Sequence, residues 1–122
     1  MESSAQSGAQ GDIALSQAID RLWVRFLPEI KERIAVIQVA ADALAAGTLI
    51  VSRRDAAYEA AHKLAGVLGT FGLTRGTVLA RELEMNFSRG DGPDPASGKR
   101  LAAIATELRA MVENRQSGAG PE

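Results

Sequence analysis

Apolar residues in this chain recur at alternating steps of four and three along most of its length. In the middle of the chain this apolar stripe consists of Ala57, Ala61, Leu64, Leu68 and Phe71. Steps of four and three place side chains on one face of an α-helix, whereas a half-buried strand alternates at every second residue. No segment shows the strand pattern. The spacing therefore predicts an all-α fold built from amphipathic helices.

The composition favours the same fold class. Apolar residues make up 46% of the 122 residues but aromatic residues only 4%, so a core has to be built from Ala, Leu, Ile and Val. Such side chains suit closely packed helices better than a sheet. The length allows one domain with a modest core. Because the chain has no cysteine, disulfides, thiolate chemistry and cysteine-based metal sites are excluded.

Charge and hydropathy exclude further classes of protein. Fourteen basic and fifteen acidic residues leave a net charge of -1, without a dense Lys/Arg block or an aromatic platform for nucleic acid. No apolar run approaches the roughly 20 residues that span a bilayer. The first residues lack the basic and apolar segments of a signal peptide. We expect a cytoplasmic protein that binds neither nucleic acid nor membrane.

Both ends of the chain lack helical periodicity. Residues 1–11 and 116–122 are rich in Ser, Gly, Gln and Ala, which predicts two disordered tails around one helical domain at 12–115. Asp12 is a candidate cap for a short helix that carries Leu15, Ile19, Leu22 and Phe26 as its apolar stripe. Pro28 then suits the first position of a new helix.

Turn and capping residues divide the rest of the chain into four helices. Gly47 and Gly72 are candidate C-terminal stops. Ser52, Thr74 and Asp94 are candidate N-caps, the last followed by Pro95 at the first helical position. Short connections between amphipathic helices predict an antiparallel four-helix bundle, with the segment before Pro28 as an additional short N-terminal helix.

His62 is the only histidine, and the helical spacing turns it toward solvent. At about 100° per residue it lies roughly 140° from the centre of the apolar stripe. It shares its face with Asp55, Glu59, Gly66 and Gly69. Each glycine inside a helix costs about 1 kcal/mol relative to alanine. A bare helix surface beside an exposed imidazole suits a docking partner.

Several chemistries use a histidine in this setting. A metal site would have to rest on nearby carboxylates, which are poor ligands for a transition metal. A hydrolase triad needs a nucleophile, and no nucleophile-elbow motif is present. A histidine that itself accepts a phosphoryl group needs an accessible ring with room around it. The alternative is an incidental surface histidine, which the two costly glycines on its face argue against.

The segment from Ala61 to Gly72 resembles the histidine-containing phosphotransfer (Hpt) domain of multistep two-component signalling. The family signature is a histidine, a leucine two residues on, and glycines four and ten residues on. His62, Leu64, Gly66 and Gly72 match it. The segment Leu79–Glu84 also resembles Hpt modules attached to receiver-containing response regulators. The resemblance extends over roughly residues 20–112 and implies a four-helix bundle.

Two positions depart from the family pattern. Most Hpt domains have a lysine three residues after the histidine, where its charge can hold phosphoryl oxygens, but this chain has Ala65 there and a lysine at Lys63. The position after the first glycine, often serine, is Val67. Neither departure removes the nucleophile.

The resemblance implies a phosphoryl carrier without kinase activity. His62 would accept phosphate from a receiver phosphoaspartate and pass it to another receiver, with receiver domains of response regulators or hybrid histidine kinases as partners. No cofactor is expected in this chain, and Mg²⁺ would belong to the receiver. A monomer is expected. Two alternatives remain: a helical interaction or dimerisation module, and a receiver-docking pseudo-Hpt domain with an unphosphorylated histidine. The expected docking residues are Glu59, Lys63, Ala65, Gly66 and Gly69.

Overall fold

The computed structural model describes residues 2–88, 90 and 92–116, and within them it is helical throughout apart from turns and loops. Helix α1 comprises Glu2–Ala45, α2 Val51–Thr70, α3 Thr74–Ser88 and α4 Gly98–Gln116, with a 3-10 turn at Pro95–Ser97 before α4. The described part of the chain contains no strand. The all-α prediction is confirmed.

The helices form a bundle around one apolar core. α1 packs against α2 and α4, and α3 packs against α2 and α4, with short connections that reverse the chain between consecutive helices. The apolar stripe predicted for α2 lines the core, with Phe71 at its margin. Fully buried side chains from all four helices include Ile34, Ile37, Leu64, Leu68, Leu83, Ile104 and Leu108.

The turn at Gly72 folds α3 back onto α2. Gly72 has a φ of 74°, and its N–H donates to the carbonyl of Gly69 at 3.1 Å, while Leu73 N–H donates to the carbonyl of Leu68 at 3.0 Å. This pair of bonds is the Schellman arrangement, in which a glycine in the left-handed region satisfies the last carbonyls of a helix. Gly47 ends α1 in the same way. Both predicted stops are confirmed.

The predicted helix boundary at Pro28 is wrong, because α1 runs through this residue without interruption. Proline removes one hydrogen bond from the helix and normally costs about 3 kcal/mol in a helix interior. Contacts on both sides of Pro28 favour continuity. Trp23 is 3% exposed and meets Phe71 edge to face at 5.1 Å, and Ile30 is also fully buried. The Pro28 ring itself is exposed.

The apolar stripe predicted for the first part of α1 is also different. Leu15 is 61% and Leu22 43% exposed, whereas Trp23 enters the core. α1 also includes residues 2–11, for which the composition predicts a disordered tail. Once a helix is nucleated, each further residue adds a hydrogen bond at low cost, which favours extension of α1 toward the N-terminus. Of the second predicted tail, Gln116 ends α4 and residues 117–122 lie outside the described residues.

The predicted N-cap at Asp94 is confirmed, and the one at Ser52 is wrong. Asp94 is an N-cap, since its Oδ1 accepts from Ala96 N–H at 2.9 Å, and Pro95 follows as expected. Ser52 is not a cap, because α2 begins one residue earlier, after Ile50. Leu49, directly before this point, packs against the core. None of the helices formed by the described residues is long and apolar enough to cross a membrane.

Candidate functional site

His62 projects from α2 into solvent. Its side chain is 65% exposed, while Ala61 and Leu64 on either side of it in sequence are fully buried. The four-three stripe thus turns the imidazole outward, as its spacing predicts. An exposed ring nitrogen is accessible to a reacting group on another molecule.

Glu84 on α3 orients the imidazole. Its Oε2 lies 2.7 Å from His62 Nδ1, and its side chain is only 19% exposed. A carboxylate can only accept a hydrogen bond, so Nδ1 carries the proton that is shared. In a neutral ring the lone pair then lies on Nε2, which points away from the bond. The site therefore presents Nε2 as a nucleophile.

Tyr58 lies one helical turn before His62 on the same face of α2. The two rings are nearly parallel, with an interplanar angle of 17° and centroids 6.3 Å apart. Tyr58 is half-buried and packs against the core. It forms a wall on the side of His62 that faces the start of α2.

The two glycines on the histidine face have different surroundings. A Cβ added at Gly66 would have no neighbour within 4 Å, so no helix packs closely there. A Cβ added at Gly69 would lie 3.6 Å from Thr77 Oγ1, an ordinary contact with α3. Packing therefore does not explain Gly66, and the helix surface beyond His62 is bare.

Lys63 is paired within α2. Its Nζ lies 3.9 Å from Glu59 Oε2, and both side chains are exposed. Exposed i,i+4 pairs contribute at most about 1 kcal/mol to stability. The lysine therefore remains free to exchange this contact for one with a partner.

Ala65 does not lie on the exposed face that was expected for docking. It is 3% exposed, because its position about 60° round α2 from His62 is on the side that α3 covers. This part of the predicted surface is corrected. Glu59, Lys63, Gly66 and Gly69 are exposed, and their docking role stays a prediction.

The sequence reasoning did not identify Glu84 and Tyr58 as site residues. The sequence could have indicated Tyr58, because residues four apart in a helix are neighbours and Tyr58 precedes His62 by four. It could not have indicated Glu84, since the contact of Glu84 with His62 depends on the relative register of α2 and α3.

Two further ion pairs join α3 to α4. Arg75 Nε lies 2.5 Å from Glu107 Oε2, and Arg100 makes two hydrogen bonds to Glu82, at 3.1 and 3.0 Å. The hydrogen bond from Arg75 lowers the pKa of Glu107, and the hydrogen bond to Glu82 raises the pKa of Arg100. Arg100 is exposed and Glu107 is half-buried, and the two pairs link α3 to α4 at the edge of the bundle.

Within the described ranges no group of three or more His, Cys, Asp or Glu side chains could hold a metal ion.

The described residues thus form a helical bundle that presents one exposed histidine, oriented by a carboxylate from the adjacent helix. This architecture is typical of small helical domains that react through a single histidine. The Hpt domain family model matches residues 21–118. The chain therefore belongs to the Hpt domain family, whose members are phosphotransfer modules of phosphorelays.

One curated relative is Protein RcaC of Microchaete diplosiphon, which is 26% identical over 96 residues. The match covers 79% of this chain but 15% of RcaC. No solved structure matches the chain significantly.

Proposed function

We propose that His62 accepts a phosphoryl group from a phosphoaspartate on a receiver domain and passes it to an aspartate on another receiver. The observation that carries this proposal is the geometry of His62, whose Nδ1 is held by Glu84 while the side chain as a whole is 65% exposed.

In the first step the lone pair of Nε2 attacks phosphorus, the bond between phosphorus and the aspartyl oxygen breaks, and the aspartate leaves as a carboxylate. The ring then carries a positive charge, with the Nδ1 proton directed at Glu84. A fixed carboxylate at that position stabilises the charge that develops during attack. In the return step an aspartate oxygen attacks phosphorus and the electron pair of the broken bond returns to Nε2.

The transferring oxygens also need positive charge, since electrostatic stabilisation is the main task in phosphoryl transfer. Lys63 is paired with Glu59, and this chain has Ala65 at the position where most Hpt domains have a lysine. We assign this task to the receiver, including its Mg²⁺, and assign to this chain no kinase activity of its own. Membership of the Hpt family supports this division of labour.

The receiver would dock over the exposed face of α2. Gly66 leaves this surface bare, and the exposed pair Glu59 and Lys63 borders it. We expect the chain to bind the receiver as a monomer. We expect this encounter to take place in the cytoplasm.

The test is phosphate uptake from a phosphorylated receiver. The parent should acquire an acid-labile, base-stable phosphate, and His62→Gln should acquire none while retaining its helical circular dichroism and melting within about 1 kcal/mol of the parent. Arg109 is an exposed polar residue on α4, and Arg109→Gln serves as the matched control. This variant should take up phosphate normally. Receiver binding without phosphate uptake by the parent would instead identify a docking module.

A further inference from the structure

We infer that Tyr58 is a positioning residue for phosphoryl transfer at His62, and that with Gly66 it sets the side from which a receiver approaches. This inference rests on the proposed function. It assigns a role to the only tyrosine in the chain.

The hydrogen bond to Glu84 fixes one atom of the imidazole. One hydrogen bond does not lock the side-chain torsions of His62, so the ring can still change its χ1 rotamer, and Nε2 moves with it. In-line attack on phosphorus requires the Nε2 lone pair to point at the donor, and small errors in such alignment cost large factors in rate. A second contact is needed to hold the ring in one rotamer.

Tyr58 supplies a contact of this kind. Its ring is almost parallel to that of His62, at 17°, and the centroid separation of 6.3 Å lies within the range of offset-stacked pairs. Tyr58 is half-buried and packs against the core, which restricts the motion of its ring. The imidazole therefore has a carboxylate at one edge and a packed aromatic ring beside one face.

The surroundings of His62 along α2 are asymmetric. Tyr58 stands one turn before it, whereas Gly66, one turn after it, has open space where a side chain would be. Along α2, a receiver that brings its phosphoaspartate to Nε2 therefore has more room on the Gly66 side than on the Tyr58 side. The same two residues thus hold the ring and leave one approach open.

The experiment compares Tyr58→Leu, which keeps apolar bulk without a planar ring, with Tyr58→Phe, which keeps the ring without the hydroxyl. In single-turnover transfer from a phosphorylated receiver, Tyr58→Leu should lower the rate constant at saturating receiver about fivefold and leave the half-saturating receiver concentration unchanged. Tyr58→Phe should match the parent. Equal rates for all three proteins, or equal losses in both variants, would overturn the inference.

A second measurement needs no transfer. Three-bond couplings from Cγ of His62 to its backbone nitrogen and carbonyl carbon report the χ1 rotamer. The parent and Tyr58→Phe should show one rotamer, and Tyr58→Leu an average over several. A single rotamer in Tyr58→Leu contradicts the positioning role.

The two measurements separate this inference from the proposed function. If the parent took up no phosphate, the proposed function would fail, while the χ1 comparison would still decide whether Tyr58 holds the ring. Circular dichroism of both variants confirms that each is folded.

Discussion

Glu84 on α3 reaches across to α2 and places its Oε2 2.7 Å from Nδ1 of His62. This contact couples the orientation of the reactive ring to the packing of two helices that meet through the Gly72 turn. It also selects which ring nitrogen is free.

Removal of the Glu84 carboxylate should slow phosphate uptake without unfolding the bundle. Hydrogen bonds to charged groups contribute about 1.5–3 kcal/mol, so Glu84→Ala should lower the transfer rate constant at least about tenfold. Glu84→Gln, whose amide oxygen can still accept from Nδ1 but carries no charge, should fall between Glu84→Ala and the parent. Stopped-flow or quench measurements with a phosphorylated receiver provide the rates. A parent-like rate in Glu84→Ala would show that the carboxylate has no part in the reaction.

Stability and transfer should change in opposite directions at Gly66. Open space surrounds the position of a Cβ there, so Gly66→Ala should stabilise the protein by about 1 kcal/mol through helix propensity and retain most of the transfer. Gly66→Glu should be stabilised less but should block docking by bulk and charge. Thermal melts and transfer rates on both variants test this. Full transfer in Gly66→Glu would remove the steric argument for the bare surface.

Lys63 should contribute general attraction to the receiver, because its Nζ pairs with Glu59 and not with the histidine. Attraction between exposed charges is screened by salt, with a Debye length of about 8 Å at physiological ionic strength. Lys63→Ala should therefore slow transfer modestly at low salt and hardly at high salt. Lys99→Ala, an exposed lysine on α4, is the control and should have no effect. If Lys63→Ala lost phosphoryl transfer at every salt concentration, Lys63 would have to contact the phosphoryl group directly.

Low pH should weaken the ion pair between Arg75 on α3 and Glu107 on α4. The hydrogen bond from Arg75 lowers the pKa of Glu107 in the folded state, so its contribution to stability is complete above the unfolded glutamate pKa of about 4.3. The contribution is lost as pH falls through the lowered folded pKa. The difference in unfolding free energy between the parent and Glu107→Gln should thus be largest near neutral pH and shrink below about pH 4.

Urea titrations at several pH values measure this difference. Glu113→Gln, at an exposed glutamate on α4, is the control. A difference between parent and Glu107→Gln that stayed constant down to the acid limit would mean that the ion pair with Arg75 does not contribute.

The sequence alone determined the features that depend on helical period and local capping. The four-three spacing of Ala57, Ala61, Leu64 and Leu68 both buried one face of α2 and exposed His62. Gly72 and Asp94 acted as expected, because a left-handed stop and an N-cap depend on the residue itself and its immediate neighbours.

Tertiary structure decided the features that depend on contacts between helices. α1 continues through Pro28 while Trp23, packed on Phe71, and Ile30 anchor it on either side. Ala65 is buried because α3 covers that side of α2. Glu84 meets His62 because of the register in which α3 returns along α2. Helical periodicity describes only one helix at a time, whereas register and coverage are set by how the side chains of two helices fit together.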